Sequence, residues 1–154
     1  MPEKETLERA REDAREGKSP STQAGEFVRE EIHHVREGKH GVRSPQQAIA
    51  IGLSKARRAG VKLAPPKGSA AVRRKAAQDE AAGEKKHKTS RTRSRATESA
   101  LKGEPRKSAS ESALSRQAKT AAAKRSATSR SQAATKAART RKRTSQGTSQ
   151  RTSR

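Results

Sequence analysis

Apolar positions recur at helical spacing in three stretches of the chain and then thin out. Leu7, Ala10 and Ala14 fall at i, i+3 and i+7 and form a narrow stripe on an otherwise charged segment. A helix is predicted over residues 3–16, with Glu8/Glu12 and Arg11/Arg15 on its solvent face and Gly17 as its stop. Ser19-Pro20 opens the second helix: Ser suits the N-cap, and Pro suits the first turn, where its missing N–H would be unpaired anyway. Ala24, Phe27, Val28, Ile32 and Val35 make its apolar face, Glu26, Glu30 and Arg36 lie off that face, and Gly38 stops it. Ser44-Pro45-Gln46-Gln47 opens the third, with Ser44 and Gln47 at capping-box spacing. Ala48, Ile49, Leu53 and Ala56 line it, Ile51 widens the face, and Gly60 and Pro65-Pro66 end it.

Gly52 sits mid-helix, where it costs roughly 1 kcal/mol relative to Ala. A close approach of the second helix would account for it. The tetrapeptide Arg-Glu-Gly-Lys occurs at 15–18 and again at 36–39, which points to shared turn chemistry at two helix ends. The head so defined, residues 19–64 with a charged N-terminal helix in 1–18, is near the size at which a core becomes marginal. Dimerisation through its second and third helices is therefore expected.

Beyond residue 65 the pattern changes. Ala, Ser, Thr, Lys, Arg and Gln dominate, and the chain holds one Phe and neither Trp nor Tyr. Residues 1–64 carry 13 Lys/Arg against 10 Asp/Glu, whereas 65–154 carry 25 against 6, with no acidic residue after Glu111. Low hydrophobicity with high net charge cannot offset chain entropy, so 65–154 is expected to be a disordered basic tail. Residues 70–82 and 112–143 are Ala-rich enough to be helical in part, especially once their charges are neutralised, while 89–96 and 144–154 read as coil. The expected class is all-α, a small helical head followed by that tail.

Spaced cations in such a tail neutralise phosphates and release counterions without reading sequence. The candidates are Arg73, Arg74, Lys75, Arg91, Arg93, Arg95, Lys124, Arg125, Lys136, Arg139, Arg141, Lys142 and Arg143, joined by Lys55, Arg57, Arg58 and Lys62 at the end of the third helix. Those last four also suit the negative end of a helix dipole. Without aromatics there is no base-stacking platform for single strands. The second and third helices could be read as a helix-turn-helix with Gln46, Gln47 and Lys55 facing bases. The connection is longer than that motif's turn, and an ordinary helical hairpin is favoured.

Other chemistry is poorly provided for. His33 and His34 are adjacent and point about 100° apart on a helix, His40 lies in a loop and His87 stands alone, so no metal is expected. Glu30-Glu31 and Asp79-Glu80 read as solvated pairs. No nucleophile elbow, phosphate-cradling loop or zincin helix is present, so neither catalysis nor a cofactor is expected. Cys is absent, and no apolar run approaches the length of a membrane span. The charged N-terminus lacks the apolar centre of a signal peptide. A soluble cytoplasmic protein, acting at the bacterial nucleoid, is the expectation.

The run from Gln47 to Gly60, with Arg36-Glu37-Gly38-Lys39 before it, resembles a family of short basic bacterial proteins with a domain of unknown function. Members are sometimes labelled plasmid-stabilisation or DNA-binding proteins. The resemblance covers residues 15–66 and implies no catalytic residue. The tail is similar in composition to the Ala/Lys-rich tails of linker-histone-like bacterial proteins. The expectation is non-specific binding of nucleic acid, duplex DNA first and RNA as another polyanion. The alternative is a protein-interaction module, such as a plasmid-maintenance accessory factor, whose tail adds generic affinity. Membrane insertion is disfavoured because the tail lacks bulky apolar residues at amphipathic spacing.

Overall fold

Three helices form as the apolar pattern predicts: α1 (Lys4–Arg15), α2 (Pro20–Glu37) and α3 (Pro45–Arg58). The computed structural model of the chain describes residues 2–85 and 90–151, with side chains through residue 142. α1 packs on α2, and α2 packs on α3. Ala10, Ala24, Phe27, Ala56 and Val61 form one buried cluster, flanked by Leu7, Leu53 and Leu63. Val35, Val42 and Ala48 form a second with Ala109, flanked by Ile32 and Ile51. Phe27 is fully buried, which contributes about 1.5–3 kcal/mol. Most other core positions are Ala or Val, so the helices must approach closely. Gly52 makes that possible: a Cβ there would lie 2.7 Å from Val28 Cα.

Helix ends follow the sequence signals. At α2 the Gly38 φ is +82°, Lys39 N–H donates to His34 O at 2.9 Å, and Gly38 N–H donates to Val35 O at 3.2 Å. α1 ends the same way at Gly17, where Lys18 N–H reaches Asp13 O at 2.9 Å, so the repeated tetrapeptide is one turn used twice. Ser44 Oγ accepts from Gln47 N–H at 3.2 Å. The Gln47 side chain returns to the N–H of Arg43 at 2.8 Å, one residue outside the usual capping box. Ser19 occupies the N-cap of α2 but makes no side-chain cap; its hydroxyl bonds those of Ser21 and Thr22 instead.

The disordered tail expected from residue 65 is not what the structure shows. α4 (Ala70–Glu84), α5 (Arg91–Lys102), a 3-10 turn (Lys107–Ala109), α6 (Glu111–Ala123) and α7 (Ala127–Arg151) follow, so every described element is helical. The segments read as coil fall largely inside α5 and α7; residues 86–89 and 152–154 lie outside the described residues. Capping favours the helices. Serines begin them: Ser69 Oγ accepts from Val72 N–H, Ser110 Oγ from Ala113 N–H and Ser126 Oγ from Ser129 N–H. Within the helices, threonine hydroxyls donate to carbonyls four residues back, Thr97 to Arg93, Thr120 to Arg116, Thr135 to Ser131 and Thr140 to Lys136, a bond the helix accommodates without gaining from it.

Part of this region completes the head. α4 packs on α3, and Gly83 lets it do so, because a Cβ there would lie 2.8 Å from the carbonyl oxygens of both Arg57 and Arg58. Residues 101–109 lie against the α2–α3 loop: Gly41 N–H donates to Leu101 O at 2.8 Å and Val42 N–H to Pro105 O at 3.1 Å. Arg36 Nε donates to Ala109 O at 2.9 Å. The chain divides into two units, Met1–Leu114 and Ser115–Arg154. The second holds most of α6 and all of α7.

Candidate polyanion-binding surface

The structure sorts the predicted cations into two groups. Lys55 turns inward, its side chain 20% exposed, 3.1 Å from Glu30 Oε1 and 2.8 Å from Glu31 Oε2. Both carboxylates are buried by α1 and α3 closing over α2, which corrects the solvated-pair reading. Burial pushes the Glu30 carboxyl up, but the Thr6 hydroxyl, the Glu3 amide and Lys55 outweigh it and hold the group below the ordinary glutamate value. Burial likewise opposes charge on Lys55, and Glu31 and Glu30 overcome it, raising the ammonium pKa.

Asp79 organises a second internal site and is also buried, not solvated. Its Oδ1 takes Arg58 at 2.7 Å and Lys75 at 2.6 Å, and Ser54 donates to Oδ2. Burial pushes the Asp79 carboxyl up, but Lys75, Ser54 and Arg58 together bring it below the usual value. Lys62 lies 3.8 Å from Glu80 and 3.7 Å from Glu84. Four of the seven candidates between residues 55 and 75 therefore face carboxylates: Lys55, Arg58 and Lys62 reach those of other elements, and Lys75 pairs within α4. Arg57, Arg73 and Arg74 make no ion pair among the described residues, and the latter two are exposed. Of the residues considered for base reading, Gln47 is engaged in its cap and Lys55 is inward.

The second group lies on helices with little or no cover. α5 has no buried residue; Arg91 and Arg95 share one of its faces and Arg93 lies opposite. In α6 and α7 no acidic residue follows Glu111. Lys124, Lys136, Arg139, Arg141 and Lys142 are exposed. The Arg125 guanidinium reaches Ser129 Oγ at 3.2 Å, bracing the start of α7 while remaining exposed. Arg143 lies outside the described side chains. At 100° per residue the α7 cations point around the whole helix, so no single face is marked for base reading.

The histidines group differently from their order in sequence. His33 is exposed, whereas His34 and His40 are 12% and 14% exposed and lie edge to face, ring centroids 6.2 Å apart, beside Glu31. Adjacency of His33 and His34 obscured this arrangement. The readable signal is the i, i+3 spacing of Glu31 and His34 on one helix face.

Among the described residues no helix is long and apolar enough to cross a membrane. Residues 15–68, from the end of α1 to the turn after α3, match a family of unknown function, DUF6496. This stretch holds the Gly38 turn, the Ser44 cap and the close α2–α3 approach at Gly52. No curated protein and no solved structure matches.

Proposed function

We propose that the chain is a non-specific nucleic-acid-binding protein with duplex DNA as its principal ligand, in which the helices beyond residue 114 are the binding arm. One observation carries the reading. Residues 115–154 contain 12 Lys/Arg and no Asp/Glu, on helices whose described cations are exposed. Phosphates can neutralise such an arm and release counterions. Cations on every side of α7, with no aromatic residue, favour backbone contact over base readout. The 25 residues of α7 extend for roughly 37 Å at 1.5 Å per residue, enough to follow several phosphates. The head, in which Lys55, Arg58, Lys62 and Lys75 already face carboxylates, supplies a stable attachment for the arm. This arrangement is linker-histone-like, and nucleoid association is the setting it suits.

The test is a competition experiment at fixed salt. Full-length protein should bind duplexes of unrelated sequence with affinities within a few-fold of one another. A chain ending at Leu114 should bind all of them far more weakly. Strong preference for one sequence, or equal binding by the shortened chain, contradicts the reading. Tighter binding to duplex RNA than to DNA would redirect it to RNA.

A further inference from the structure

At one point in the head two buried carboxylates share a single ammonium. Glu30 and Glu31 are both 1% exposed at the side chain, and among the described residues Lys55 is the one ammonium paired with them. Uncompensated buried charge is strongly destabilising. The imbalance is concentrated at Glu31: Lys55 lies near Oε2, yet neither carboxylate oxygen has a well-directed hydrogen-bond donor.

Two imidazoles complete the surroundings of Glu31. Glu31, His34 and His40 each offer a ligand atom, and the three atoms lie within 4.8 Å of one another. His40 follows the left-handed turn at Gly38, which brings the loop back toward α2. Its Nδ1 lies 3.1 Å from Gly41 O. A carbonyl only accepts, so Nδ1 carries the proton and Nε2 of the neutral ring carries a lone pair. That Nε2 lies 3.3 Å from Glu31 Oε1. Lone pair facing carboxylate is repulsive unless a proton or another cation stands between them. The spacing suits a metal: with bonds of about 2.0–2.2 Å, two ligands of a tetrahedral zinc ion lie about 3.3–3.5 Å apart. The outer partners suit it too. A backbone carbonyl on His40 Nδ1 and the Glu3 carboxylate, 2.8 Å from His34 Nε2, are the groups that orient metal-bound imidazoles.

We propose that Glu31, His34 and His40 form a binding site for a divalent transition-metal ion of the zinc type, with Lys55 holding the second oxygen of Glu31. Two imidazoles and a carboxylate match the borderline-soft preference of such ions. The ion ties the C-terminal part of α2 to the loop that leads into α3, a staple for a head with a small, Ala-rich core.

The probe is zinc ion alone, titrated calorimetrically into chelator-stripped full-length protein. One ion per chain is expected, with a rise in thermal midpoint. His34→Ala and His40→Ala should each weaken binding at least about tenfold, as loss of even an outer-shell partner commonly does. His33→Ala, one position away and outside the cluster, should leave it unchanged. Cobalt(II) in the unmodified protein should give the visible absorption of a tetrahedral site, a readout that stands even if a variant misfolds. The proposal is overturned by the absence of stoichiometric binding, by unaltered affinity in folded His40→Ala, by equal loss in His33→Ala, or by an octahedral cobalt spectrum.

Discussion

Lys55 on α3 and Lys136 on α7 are the same residue on the same kind of helix, in opposite settings. Lys55 stands 3.1 Å and 2.8 Å from two buried carboxylates, and its charge is needed where it is. Lys136 is exposed in a stretch with no acidic residue to meet it. The difference arises from acid placement. Glu30 and Glu31 draw Lys55 into the head, and Asp79 holds Arg58 and Lys75 at its surface; beyond Glu111 no acidic residue is present to draw the cations in. Net charge alone merges these populations, although one stabilises the fold and the other is available to a ligand.

The largest effect that separates them is on stability. Lys55→Ala leaves two buried carboxylates without their cation and should cost about 3–5 kcal/mol. Lys136→Ala should stay within about 0.5 kcal/mol, as exposed substitutions do. Chemical denaturation of the two variants measures both. Equal effects would erase the distinction.

Acid should act on the head next. Glu30 and Asp79 have folded-state pKa values below their ordinary ones, so the unfolded chain takes up protons first as pH falls. Their contribution is fully present above the unfolded carboxylate values and is lost as pH drops through the folded ones. The thermal midpoint of the head should be nearly level from neutral pH to about 5 and fall below about 4. A midpoint that rises on acidification would contradict the buried pairs.

The smallest effect belongs to the arm. Ser126→Ala removes the hydroxyl that accepts from Ser129 N–H at 3.2 Å and should cost about 1 kcal/mol locally. Amide exchange in the first turn of α7 should quicken while exchange in α2 is unchanged. No change at α7 would mean that the serine does not cap it.

The head was legible because its signals are local. Gly38, the Ser44–Gln47 cap and the spacing around Phe27 each specify a turn or a face within a few residues. The buried carboxylates were less so: Glu30 sits off the apolar face of α2 and only the closure of its neighbours covers it, whereas Glu31, four residues after Phe27 and four before Val35, lies on that face, a signal masked by the adjacent Glu30. Asp79 was hidden as Glu30 was: its partners on α3, Ser54 and Arg58, are 25 and 21 residues away. In the arm, composition outweighed capping in the reading. Ser110 and Ser126 precede Ala-rich runs as N-caps do, a signal present in the sequence but masked by the abundance of Ser elsewhere. His40 joins His34 only through the turn at Gly38, a relation that helix periodicity does not carry.

The salt dependence of duplex DNA binding, measured for full-length protein and for a chain ending at Leu114, shows whether the phosphate contacts proposed for the arm lie beyond Leu114. Deletion removes 12 Lys/Arg. If about half of them meet phosphates, the slope of log K against log salt should flatten by about 5, at roughly 0.9 per contact. The account predicts that flattening together with unchanged melting of the head. An unchanged slope in the shortened chain would place the contacts in the head and contradict it.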